Sequence, residues 1–220
     1  AVISWGPPNA SKATAVAGGY RVSGRWDFAS GCRQASWMGA HCQVIEADGS
    51  LRLNSAGRAT MRTLLFPLEQ ATLLDTWNTI GLRGTASDSY EVRDLFVAEA
   101  CSGTREDPSL RQVTGALYAF PMQGIYAVGV AGVALGIARA MLSTFSALAQ
   151  DKTPRGLTRL ADASAVQAGV AHAEATIGSA KSYLLDTLGD IYARADDTLI
   201  INVPDRARVR LATTHAIHGA

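Results

Sequence analysis

The sequence has few cysteines, few charged residues and few aromatic residues. Its 220 residues include three cysteines, Cys32, Cys42 and Cys101, and no CxxC pair. A disulfide framework and a thiolate metal site are therefore not expected, and reduced thiols fit a cytoplasmic protein. The formal net charge is +1 and the basic residues are scattered, which predicts no nucleic-acid partner. With 48% hydrophobic residues, the composition is that of a folded globular chain.

Charged residues are also missing from the whole stretch between Val113 and Ala138. A run of this length could span a bilayer. It contains Pro121, many Gly and Ala residues and few large aliphatic side chains, however, and no basic flank sets an orientation. We therefore expect a buried helix here and no membrane partner.

The first half of the chain, residues 1–109, has the habits of β-structure. Tyr20, Val22, Trp26 and Phe28 alternate with polar residues, which is the period of a strand with one buried face. Strands are predicted over residues 13–17, 20–28, 36–45, 59–66, 71–75 and 90–97. Several short strands at this spacing predict an antiparallel β-barrel or sandwich.

The second half, residues 110–220, is rich in Ala and Leu at helical spacing. A first long helix is predicted from Met122 to Gln150. A cluster of breaker residues, 151–156, separates it from a second helix that begins near Leu157. Asn202-Val203-Pro204-Asp205 starts a third. The whole is an α+β chain of two domains, the second an incomplete antiparallel bundle of long helices. Both ends look cut, so we expect a fragment of a longer protein.

Two motifs point to a particular family. Residues 18–31 read GGYRVSGRWDFASG and are followed by Ala35-Ser36-Trp37; residues 77–87 read WNTIGLRGTAS and lead into a strand ending in RDLFV. These motifs, in this order and just before a long-helix domain, resemble the middle β domain and the start of the C-terminal helical domain of the acyl-CoA dehydrogenase superfamily. The resemblance covers nearly the whole chain.

The resemblance implies a flavin, FAD or FMN, held between the two domains. It places Phe28 beside the isoalloxazine ring, the main chain of Ala29 against it, and the hydroxyl and backbone N–H of Ser30 near the flavin N5 and O4 edge. Ser4, in the segment 3–8, matches another flavin-facing loop more loosely. The resemblance also implies a flavin-binding or active-site role for Arg83, and makes Thr85 and Ser87 weaker candidates for such a role. Such enzymes are usually homotetramers, and Gly129, Gly132 and Gly136 on one helix side suit close helix packing within the bundle or between subunits.

Two departures favour the monooxygenase branch over the dehydrogenases. The first long helix, Met122 to Gln150, has no Asp or Glu, which excludes the arrangement of those dehydrogenases that carry their glutamate base there. In most dehydrogenases of the family that base lies beyond the segment that this sequence matches, so their arrangement stays open. The segment after it reads AQDKTPRG where dehydrogenases tend to have an arginine and phenylalanine motif that helps bind FAD. The sequences WDFASGC at residues 26–32 and KTP at residues 152–154 resemble two-component monooxygenases more than dehydrogenases. Those enzymes take reduced FMN or FAD from a separate reductase and use oxygen to hydroxylate aromatic or heteroaromatic small molecules.

Other readings stay open beside this one. An acyl-CoA dehydrogenase is the first alternative, and a non-catalytic helical interaction protein is the second. The catalytic acid or base is not identified, and we expect it outside the fragment. His215 and His218 share a helix face, but no carboxylate or thiol stands at ligand spacing, so no metal is expected. The substrate, and the choice between FMN and FAD, are not fixed by the sequence.

Overall fold

A computed structural model of the chain describes residues 1–7, 9–54, 57–104, 107, 110, 112–113, 115–195 and 200–220. The chain divides into two compact units, Ala1–Arg111 and Gln112–Ala220. Ser109, at the boundary predicted from sequence, and residue 8 of the segment 3–8 lie outside the described residues.

The first unit is a sheet of eight strands. They are β1 (Ile3–Trp5), β2 (Lys12–Val16), β3 (Gly19–Ala29), β4 (Trp37–Ile45), β5 (Met61–Pro67), β6 (Thr72–Leu74), β7 (Asp88–Ala98) and β8 (Ser102–Gly103). The order across the sheet is β6-β7-β3-β2-β4-β5-β8, with β1 beside β4. The α+β class is confirmed, and each predicted strand is present within two residues of its expected ends.

The sheet is mixed rather than wholly antiparallel, which corrects the predicted pattern. Strands β2 and β3 form an antiparallel hairpin, but β1 and β2 each pair parallel with β4. The reason is the route of the chain. After β3 it crosses to the far side of β2 and reverses direction, so β4 runs against β3 and therefore along β2.

The core of this unit follows the predicted period for most of β3. Tyr20, Val22 and Trp26 are buried, and the Trp26 ring stacks on Tyr90 with centroids 5.4 Å apart. Trp26 Nε1 donates to the His41 carbonyl at 3.1 Å and the Tyr90 hydroxyl to the Gly39 carbonyl at 2.6 Å. Both polar tips of these buried aromatic rings are thereby satisfied.

The second unit contains three helices, α1 (Met122–Asp151), α2 (Ser164–Arg194) and α3 (Val203–His218). The predicted start of α3 is confirmed: Asn202 is its N-cap, and its side chain accepts from the Asp205 N–H at 2.8 Å. Helix α2 begins later than the predicted Leu157. The intervening residues form a turn instead, in which the N–H of Leu160 donates to the carbonyl of Lys152 at 2.9 Å.

Helix α1 is not the buried helix that was predicted. Its buried residues are Ala131, Leu135, Ala138 and Ala149, and the first three share a core with residues of α2 and α3. The opposite side exposes an apolar stripe made of Tyr126, Val130, Val133, Ile137, Met141 and Leu148. In the described part of the chain, α1 is the one helix long and apolar enough to cross a bilayer, with 17% of its most apolar window buried. Helices α2 and α3 cover one side of α1 only.

Candidate functional site

A β-bulge near the end of β3 presents Phe28 to solvent. Trp26 pairs with Tyr90 and Ala29 pairs with Asp88, so two residues of β3 face the single residue Ser89 of β7. Phe28 has φ of 61°, and its side chain is 61% exposed. A bulge re-aims the side chain at its extra residue. The alternation predicted a buried Phe28, and the structure corrects this because the bulge interrupts the period just before that position.

The loop 75–87, which connects β6 to β7, lies against this bulge. Its Trp77 ring meets the Phe28 ring edge to face, with centroids 6.1 Å apart. Trp77 Nε1 donates to the Leu82 carbonyl at 2.9 Å, which ties the loop across itself. Phe28 and Trp77 together form an apolar corner at the end of the sheet.

The base of the loop is held by the carboxylate of Asp88, which is 1% exposed. Its Oδ1 accepts from the backbone N–H groups of Thr76 and Trp77, at 3.0 and 2.9 Å. Its Oδ2 accepts from Arg33 Nε at 2.6 Å, and the same guanidinium reaches Asp75 at 2.6 Å. The hydrogen bond from Arg33, aided by the two backbone donors, lowers the pKa of Asp88 to about 2.

The far end of the loop is joined to the turn after β3. The Gly31 N–H donates to the Thr85 carbonyl at 2.8 Å, and the Cys32 thiol to the Ala86 carbonyl at 3.4 Å. A chain of hydroxyl groups runs beside these contacts. Ser30 Oγ lies 2.7 Å from Ser87 Oγ, which lies 2.8 Å from Thr85 Oγ1.

Six of the seven residues predicted for the flavin site come together here. Ser4 is buried, and its hydroxyl donates to the Ser30 carbonyl at 2.9 Å. Ala29 is fully buried between Phe28 and Ser30. The exception is Arg83, which opens a 3₁₀ turn, Arg83–Thr85, in the same loop. Its side chain is exposed, and no contact joins it to the others within the described part of the chain.

One predicted donor is already engaged. The Ser30 N–H, expected at the flavin edge, donates to the Phe28 carbonyl at 2.9 Å. The Ser30 hydroxyl is therefore the polar group of this residue that can meet a ligand. An isoalloxazine ring needs an apolar wall and a few hydrogen-bonding groups at its polar edge. The exposed Phe28, with Trp77 beside it and the Ser30 hydroxyl next along the chain, fits that requirement.

Sequence reasoning missed three residues that build this site: Arg33, Trp77 and Asp88. Trp77 opens the second motif, and that position was a signal that could have been followed. Asp88 is a carboxylate at the start of a strand whose next residues are buried, which is a weaker signal. Its pairing with Arg33 joins residues 55 positions apart, and no local pattern reveals such a contact.

The chain is similar to one known family and to several known proteins. The family "Acyl-CoA dehydrogenase, C-terminal domain" matches residues 128–220. An indole-3-acetate monooxygenase of Pseudomonas putida is 31% identical over 218 residues, 97% of this chain and 52% of that protein. The oxygenase component of an FADH2-dependent resorcinol hydroxylase of Rhizobium sp. (strain MTP-10005) is 30% identical over 186 residues, 79% of this chain and 44% of that protein.

A solved structure shares the fold. XiaF from Streptomyces sp., in complex with FADH2 and glycerol, superposes with a TM-score of 0.79 and covers 99% of this chain and 55% of its own. Its 22% identity supports the fold alone. The chain spans about half the length of these proteins.

A strand unit followed by a long-helix unit is the fold that the chain shares with this structure. The resemblance to the acyl-CoA dehydrogenase superfamily seen in the two motifs is confirmed, since residues 128–220 match the C-terminal domain of that family. The two relatives named above are a monooxygenase and a hydroxylase, as the preference for the monooxygenase branch predicted.

Proposed function

We propose that the protein is a flavin-dependent monooxygenase that uses reduced FMN or FAD and oxygen to hydroxylate an aromatic or heteroaromatic small molecule. The observation that supports this most is the bulge that exposes Phe28 beside Trp77 and the Ser30 hydroxyl, within a motif that resembles one of the superfamily. The kinship with a monooxygenase over 97% of the chain supports it independently.

In this proposal each residue of the site has a role. Phe28 and Trp77 form the apolar wall for the ring, and Ala29 contributes main-chain contacts. The Ser30 hydroxyl meets the polar edge, while Ser4 fixes the Ser30 carbonyl at 2.9 Å. Thr85 and Ser87 orient the Ser30 hydroxyl. When bound, the flavin supplies the redox chemistry with oxygen.

Arg83 completes the set as a cation for the flavin or for an acidic substrate. Its guanidinium is exposed, and a planar fork of donors suits a phosphate or a carboxylate. The catalytic acid or base is left unassigned, because no titratable side chain among the described residues of the site is free of a structural partner and placed beside Ser30.

The proposal extends to partners and assembly. A separate flavin reductase supplies the reduced flavin, and the protein works as a homo-oligomer, a tetramer, in the cytoplasm. The exposed apolar stripe of α1, flanked by Gly129, Gly132 and Gly136, supports the oligomer because a second helix could approach closely there. The three free cysteines support a reducing compartment. We also propose that residues 1–109 act as the middle β domain and residues 110–220 as the start of the helical domain.

The test uses the protein at its full natural length. It is titrated anaerobically with chemically reduced FMN and FAD, then mixed with ¹⁸O₂ and a panel of indoles and phenols in the presence of catalase. Mass spectrometry should find one labelled oxygen atom in a hydroxylated product. Tight binding of oxidised FAD that is bleached by an acyl-CoA, without labelled product, would instead establish the acyl-CoA dehydrogenase alternative. Absence of flavin binding in either redox state would leave the non-catalytic alternative.

A further inference from the structure

The three hydroxyl groups beside Phe28 have a defined hydrogen-bond direction. Thr85 Oγ1 lies 2.9 Å from the carbonyl oxygen of Leu82. A hydroxyl carries one proton and a carbonyl can only accept, so the Thr85 proton points at Leu82. The opposite orientation would leave two oxygen atoms at 2.9 Å with no proton between them. Trp77 Nε1 donates to the same carbonyl and holds it in place.

The Thr85 orientation fixes which group donates in the next two hydrogen bonds. Thr85 has used its proton, so the contact at 2.8 Å requires Ser87 to donate to Thr85. Ser87, which is 5% exposed, can then only accept at its other contact, where Ser30 lies at 2.7 Å. Ser30 is thus the donor to Ser87. Its hydroxyl oxygen turns lone pairs, and no proton, toward the open side of the site.

We infer that Thr85 and Ser87 hold the Ser30 hydroxyl as a hydrogen-bond acceptor, so that the site prefers reduced flavin over oxidised flavin. The inference rests on the proposed function, in which the flavin N5 edge meets Ser30. Reduced flavin carries a proton on N5 and can donate to Ser30. Oxidised flavin has only a lone pair there, so its N5 would face the lone pairs of the Ser30 oxygen.

Ser87 and Thr85 are therefore positioning residues that set specificity for the redox state, without touching the ring in this proposal. The same preference has a second consequence, since tighter binding of the reduced form raises the reduction potential of the bound flavin above that of free flavin. A role in stability alone would move neither the ratio of the two affinities nor the potential.

The experiment compares dissociation constants of oxidised and anaerobically reduced FMN and FAD for the full-length protein and its variants. In Thr85→Val, Ser87 loses its acceptor and can donate to Ser30, which then donates outward. In Ser87→Ala, the Ser30 hydroxyl loses its acceptor and can donate outward itself. A neutral hydrogen bond contributes about 1 kcal/mol, so the ratio of oxidised to reduced dissociation constants should fall roughly 5-fold in each variant. Most of the change should come from tighter binding of oxidised flavin.

Thr79→Val is the matched control, because it removes a hydroxyl from the same loop whose proton goes to the Gly81 carbonyl. Its affinity ratio and flavin potential should equal those of the wild type. Two variants guard against a failure of one to fold, and circular dichroism checks each. If wild type binds both flavins and neither variant changes the ratio or the potential, the inference is wrong while the flavin site stands. If wild type binds neither flavin, the proposed function fails first.

Discussion

Replacing Asp88 tests whether one buried carboxylate closes the 75–87 loop. Asp88→Asn keeps an oxygen that can accept from the Thr76 and Trp77 N–H groups. In the wild type, Arg33 Nε donates to Asp88 Oδ2 at 2.6 Å, and the variant places an amide N–H₂ group there, which cannot accept. A charge-assisted hydrogen bond contributes about 1.5–3 kcal/mol. Arg33 is 53% exposed and keeps Asp75, so we expect a loss near the lower half of that range, about 2 kcal/mol.

The loop contains its own reporter, since trypsin cleaves after Arg83. Cleavage of a native protein follows the population of the locally opened state when opening is fast, so a loss of about 2 kcal/mol should speed it roughly 30-fold. Asp75→Asn is the control: its carboxylate is 87% exposed and meets the same guanidinium. An exposed pair contributes at most about 1 kcal/mol, so its effect should stay below about 5-fold. Equal cleavage of Asp88→Asn and wild type would refute the anchoring role.

The same carboxylate gives a pH dependence with a definite sign. The pKa of Asp88 is lowered to about 2 in the folded protein from an ordinary value of 3.8, so its contribution to stability is present above pH 4. That contribution is lost as the pH falls from about 4 to about 2. The difference in cleavage rate between wild type and Asp88→Asn should therefore shrink across this range, measured with an acid-stable protease in place of trypsin.

Three further predictions concern the fold. Gly19→Ala should destabilise the fold by more than about 3 kcal/mol in urea unfolding, because its Cβ would lie 2.2 Å from the Val97 carbonyl oxygen. Gly18→Ala is the control: its φ is 77° and the space around it is open, so it should cost about 1–2 kcal/mol. Equal losses in the two variants would contradict the close approach at Gly19. Asn202→Ala should cost about 1 kcal/mol by removing the cap of α3, with Asn202→Asp as the control that keeps it. Burial raises the pKa of the Cys42 thiol to about 12. In the native protein at pH 8, a thiol reagent should therefore modify the less buried Cys101 well before Cys42.

The fold could be predicted as far as its patterns were regular. Alternation located the longer strands, and the Asn202 and Pro204 signals located α3. The strands β1 and β8, with three and two residues, are too short to show a period. The parallel pairing of β2 with β4 escaped prediction because it depends on the path of the chain between strands. The exposure of α1 escaped because composition does not say how many neighbours a helix has.

The candidate site divides in the same way. The motifs named Phe28, Ser30, Thr85 and Ser87 through resemblance, and the structure brings residues 57 positions apart into hydrogen-bonding contact. The sequence could not predict how the backbone exposes Phe28 or how the 75–87 loop is held in place. The bulge that exposes Phe28, and the carboxylate of Asp88 that fastens the loop beneath it, depend on pairing between strands distant in sequence.

Backbone strain in the first unit is concentrated where the site lies. Among the described residues, the non-glycine positions with positive φ are Phe28, Leu82, Ala86 and Asp94, and the first three line or flank the site. Such conformations cost about 1–3 kcal/mol each and persist only where the surroundings impose them. At Leu82 the carbonyl receives Trp77 and Thr85, and at Ala86 it receives the Cys32 thiol. The bonds that hold the strained backbone are thus the same bonds that orient Trp77 and Thr85. Relaxing the loop to a more stable conformation would remove the geometry on which the proposed recognition of reduced flavin depends.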